Sequence, residues 1–108
     1  MAYATTNPYT GETIKNFPSA TDAEVALALD RGDAAFGNWK STPIQQRIAI
    51  LQKAADLLRA NSEEYAKLLT LEMGKLLGEA QAEVELSAAI FEYYVESAER
   101  QLAPEKLP

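Results

Sequence analysis

The 108 residues carry ten lysines and arginines against sixteen acidic residues, a net charge of −6, and contain neither cysteine nor histidine. A chain of this length holds one soluble core at most and no large enclosed cofactor pocket of its own. The missing thiols and imidazoles exclude disulfides, thiolate nucleophiles, imidazole bases and the usual zinc and haem ligands, while the negative charge disfavours nucleic-acid phosphates and anionic lipid surfaces.

The opening residues, Met1 to Thr6, have neither the basic nor the apolar region of a secretory leader. No stretch approaches the roughly 18 uncharged apolar residues of a membrane span. A cytoplasmic chain with no membrane or nucleic-acid partner is therefore expected. Tyr3–Thr6 and Thr13–Phe17 have β character and flank Asn7-Pro8-Tyr9-Thr10-Gly11-Glu12, which predicts a hairpin over 3–17. Proline fixes φ to start the turn, and Gly11 supplies the positive φ that closes it.

Thr21-Asp22-Ala23-Glu24 has capping-box spacing and starts a helix expected over 22–38, ending near Gly37 and Asn38. Val25, Leu29, Gly32 and Phe36 form its apolar stripe, Gly32 leaves room for another backbone, and Trp39 anchors the exit. Thr42-Pro43-Ile44-Gln45 repeats the start signal, with threonine as cap and proline at the first helical position, for a helix over 43–60. Its apolar side is Ile44, Ile48, Leu51, Ala55 and Leu58; Gln45, Gln46, Arg47, Gln52, Lys53, Asp56 and Arg59 take much of the opposite side.

Asn61 and Ser62 are candidate caps for a helix over 62–73, with Glu63 and Glu64 in the first turn and Tyr65, Leu68 and Leu69 on its buried side. Gly74 ends it, and Lys75 suits the negative end of its dipole. The helix over 76–102 carries one apolar series, Leu77, Ala80, Val84, Ala88, Phe91, Val95, Ala98 and Leu102. A second series, Ala82, Leu86, Ala89, Ile90 and Tyr93, lies beside it, and Glu79, Glu83, Glu85, Glu92, Glu96 and Glu99 mark the wet side. So broad an apolar surface needs neighbours on two flanks. The Pro-containing tail 103–108 reads as a linker cut in mid-connection, which makes 1–102 a partial domain, mainly α with a short hairpin and four helices.

No spacing compels a catalytic, metal or cofactor site. Glu79 and Glu83, four apart on a helix, form a candidate cation or acid/base pair, against the plainer reading of a solvated face. Tyr65, Tyr93, Tyr94, Phe91 and Trp39 read as ligand-stacking groups or, at helical spacing, as packing. The glycines at 11, 32, 37, 74 and 78 make no dinucleotide fingerprint, and Gly74-Lys75 lacks the rest of a phosphate-binding loop.

The ordered set Asn7-Pro8-Tyr9-Thr10-Gly11-Glu12, Ala20-Thr21-Asp22-Ala23-Glu24-Val25, Ala34-Ala35-Phe36 with Trp39, Arg47 with Ile50-Leu51, Ala54-Ala55-Asp56-Leu57-Leu58 and Leu71-Glu72-Met73-Gly74-Lys75 resembles the amino-terminal segment of the aldehyde dehydrogenase superfamily. Leu69 to Lys75, with Glu83-Val84-Glu85 and Tyr93-Tyr94, is most similar to the succinate-semialdehyde dehydrogenase branch. The resemblance implies the amino-terminal part of an α/β cofactor-binding domain in a homo-oligomeric parent that uses NADP or NAD. In that family a cysteine thiolate attacks the aldehyde, hydride passes to the nicotinamide and water hydrolyses the thioester. The family's cysteine, general-base glutamate, glycine motif and oxyanion asparagine lie downstream of the matched region. No catalytic, cofactor or metal residue is therefore assigned here, and the 108 residues alone are expected to be inactive without bound cofactor. The contrasting expectation is an autonomous acidic helical module that binds a partner through Ala82, Leu86, Ile90 and Tyr93.

Overall fold

The computed structural model describes residues 3–106. A two-stranded antiparallel hairpin, β1 (Tyr3–Thr6) and β2 (Thr13–Phe17), precedes four helices, α1 (Asp22–Trp39), α2 (Ile44–Ala60), α3 (Ser62–Met73) and α4 (Leu77–Gln101). These elements fall into two compact units that divide between Thr42 and Pro43.

In the first unit the hairpin pairs Tyr3 with Phe17, Ala4 with Asn16 and Thr5 with Lys15, then shifts register so that Thr6 faces Thr13. The extra residue, Ile14, makes this a bulge. The turn is built as its residues require. Asn7 Oδ1 accepts the Tyr9 amide at 2.9 Å, the Gly11 amide donates to the Asn7 carbonyl at 2.8 Å, and Gly11 has φ +74°. Helix α1 opens with the expected capping box. Thr21 Oγ1 accepts from the Glu24 amide at 3.3 Å, and Glu24 Oε2 accepts from the Thr21 amide at 2.7 Å.

Three expectations for α1 are corrected. Gly37 stays helical and the helix runs through Trp39, because the hydroxyls of Ser41 and Thr42 both donate to the Asn38 carbonyl and close the end one residue later. The Val25, Leu29 and Phe36 stripe is bare, at 49%, 70% and 58% exposure, and α1 has no buried residue. A Cβ at Gly32 would meet nothing within 4 Å, so no backbone approaches there.

The second unit is a three-helix arrangement in which α4 packs along both α2 and α3. Its core is made of small residues. Ala55, Ala66, Ala80 and Ala88 are fully buried, Val84 and Ser97 nearly so, and among the described residues no large side chain is fully enclosed. Alanine at the seam lets helix backbones approach closely, but each buries little apolar area, so the core is thin. Ser97 satisfies its own hydroxyl by donating to the Tyr93 carbonyl at 2.7 Å.

The expected α2 stripe is inward: Ala55 is buried, and Ile44, Ile48, Leu51 and Leu58 are half-buried. The caps differ from expectation. Thr42 spends its hydroxyl on Asn38, so Pro43 is the N-cap of α2 with no side-chain cap, and the Thr42–Gln45 box does not form. Asn61 is shared between α2 and α3. Its side-chain amide donates to the Leu57 carbonyl at 2.8 Å, which closes α2 and leaves α3 without a side-chain cap. In α3 Ala66 is buried where Leu68 was expected, and Leu68 is exposed. Gly74 ends α3 at φ +70°, and its amide donates to the Thr70 carbonyl at 3.0 Å. Beyond α4, residues 103–106 are irregular, and the last two residues of the expected linker, 107 and 108, lie outside the described residues.

Candidate functional site

The main polar cluster of the second unit sits along the α2–α4 seam and is centred on Arg59, in the last turn of α2. Its Nε donates to Glu85 Oε1 at 2.6 Å and its Nη1 donates to Glu92 Oε1. Glu85 and Glu92 lie two turns apart on α4, so one guanidinium fork spans both carboxylates. The hydrogen bond to Glu92, then that to Glu85, raises the Arg59 pKa above its usual value. Nearer the end of α4, Gln45 Nε2 donates to Glu99 Oε1 at 3.0 Å. Across the α3–α4 connection Lys75 pairs with Glu83.

These contacts draw on the wet side of α4. Glu83, Glu85, Glu92 and Glu99 stay at the surface, as expected, but each is also fastened to another part of the unit. The lysine expected at the α3 dipole binds Glu83, which removes that carboxylate from the candidate Glu79–Glu83 pair. Among the described residues, no group of three or more acidic side chains could hold a metal ion. Arg59 was placed on the polar side of its helix from periodicity. Its partners lie 26 and 33 residues away, and the one signal for the clamp in the sequence is the seven-residue spacing of Glu85 and Glu92.

The clefts at the start of α3, beside Phe36 and along α4 are all shallow and open. One of about 680 Å³ opens at the start of α3, where Glu63 and Glu64 would repel phosphate. Lys67, the cation lining it, is held by Glu63 Oε1 at 2.7 Å. That contact holds the Glu63 carboxyl below its usual pKa. A Cβ added at Gly11, Gly32, Gly37 or Gly78 would meet nothing within 4 Å, so none of these four is kept bare by a close neighbour. The aromatic candidates do not converge. Tyr93 and Tyr94 meet edge to face at 5.2 Å on the exposed surface, Tyr65 and Phe91 are half-buried, and Trp39 belongs to the first unit. No helix among the described residues is long and apolar enough to cross a membrane.

The Arg59, Gln45 and Lys75 contacts hold the elements of the second unit together. The sequence model of the aldehyde dehydrogenase family matches residues 1–108. The chain belongs to the aldehyde dehydrogenase family. Succinate-semialdehyde dehydrogenase [NADP(+)] of Deinococcus radiodurans is 46% identical over 106 residues, which are 98% of this chain and 22% of that protein. Succinate-semialdehyde dehydrogenase [NADP(+)] 1 of Mycobacterium tuberculosis is 46% identical over 105 residues, 97% of this chain and 23% of that protein. The crystal structure of succinic semialdehyde dehydrogenase from Streptococcus pyogenes with NADP+ superposes with a TM-score of 0.94 at 37% identity, over 99% of this chain and 24% of that one. The chain thus spans less than a quarter of the length of these relatives. As the ordered motifs implied, this aldehyde dehydrogenase sequence is similar to the succinate-semialdehyde branch, and the hairpin and four helices are those expected. NADP is named in these relatives; the open glycines at 11, 32, 37 and 78 and the acid-lined cleft at the start of α3 do not fit its phosphates.

Proposed function

We propose that this chain is the amino-terminal segment of an NADP-dependent aldehyde dehydrogenase that oxidises succinate semialdehyde to succinate, and that the 108 residues have no activity alone. The observation carrying this reading is the near-complete coverage of the chain at 46% identity by proteins named for that substrate and for NADP, of which it spans 22–23%. Composition agrees. A dehydrogenase working through a thiolate needs a cysteine, and these residues include none. In this reading the segment's role is positional: Gly74 and the Lys75–Glu83 pair set the angle at which α4 leaves α3. The longer protein is cytoplasmic and assembles as a homo-oligomer.

The test has two arms. The intact mass of the protein captured from its source cells is expected to be several times 11.8 kDa, and that species is expected to form NADPH from succinate semialdehyde while purified residues 1–108 form none. Turnover by the 108 residues overturns the inactivity, and a longer protein that rejects this aldehyde but oxidises others overturns the substrate. A native species of 11.8 kDa overturns the segment reading. The exposed flank of Leu86, Ile90 and Tyr93 would then favour an autonomous helical module that binds a partner protein.

A further inference from the structure

We draw no further inference here: the strongest candidate, the apolar surface patch of Leu86, Ile90 and Tyr93 along the outer flank of α4, is exposed in the second unit, and nothing in the structure shows what covers it.

Discussion

The two units were written in the same kinds of local signal, yet they differ in what those signals accomplish. Residues 3–42 contain the best-formed turn and the one complete capping box in the described chain, and no buried side chain among residues 3–41. Residues 43–106 have imperfect helix starts at Pro43, Asn61 and Leu76, none with a side-chain cap, and yet carry the core. Capping adds about 1 kcal/mol per helix end, whereas burial and helix packing decide whether a segment is cooperatively folded. Good local grammar specifies where a helix begins; it does not make the helix stable.

The largest expected effect comes from placing the same bulky side chain in each unit. Ala88 is fully buried in the α4 seam, so Ala88→Phe forces α4 away from its neighbours and should cost about 1–3 kcal/mol or unfold the second unit. Ala28 lies exposed on α1, and Ala28→Phe should stay within about 0.5 kcal/mol. Urea unfolding of both variants of the 108-residue chain measures the contrast. Equal losses would mean that α1 has a core after all.

A smaller effect is expected from Arg59→Gln, which leaves Glu85 and Glu92 on α4 without their shared cation. The melting midpoint of the second unit should fall, and the difference from the unaltered chain should shrink as salt is added, because the clamp is only partly shielded from water. A difference that does not change with salt would assign the loss to packing by the arginine stem instead.

The clamp also marks the limit of what could be read in advance. Signals confined to a few neighbouring residues were legible: the Asn7 to Gly11 turn, the Thr21–Glu24 box and the end of α3 at Gly74 all form as expected. Signals with competing partners misled, since nothing local says that the Thr42 hydroxyl prefers Asn38 to its own helix. Burial was legible only as periodicity. The width of the apolar surface on α4 was visible, but which flank is covered depends on α2 and α3, and Leu86 and Ile90 remain exposed. Of the candidate site, the four-residue spacing of Glu79 and Glu83 was plain, whereas Lys75 reaching Glu83 across a helix break was not.

The smallest effect is the most local. Thr21→Ala removes the hydroxyl that accepts the Glu24 amide and should reduce α1 stability by about 1 kcal/mol. Because α1 has no buried residue, that loss should appear in helicity and leave the urea midpoint of the second unit unmoved. Acid gives the same cut without mutation. The Thr21 amide, then the Thr21 hydroxyl, holds the Glu24 carboxyl below its usual pKa. A carboxyl depressed in the folded form contributes stability that is complete above the unfolded value and disappears as pH falls through the folded one. Helicity from α1 should therefore drop only on acidification below the ordinary glutamate range, and Glu24→Gln should flatten that part of the curve. If Thr21→Ala instead lowers the midpoint of the whole chain, α1 is folding together with α2, α3 and α4, and the separation of the two units in stability is wrong.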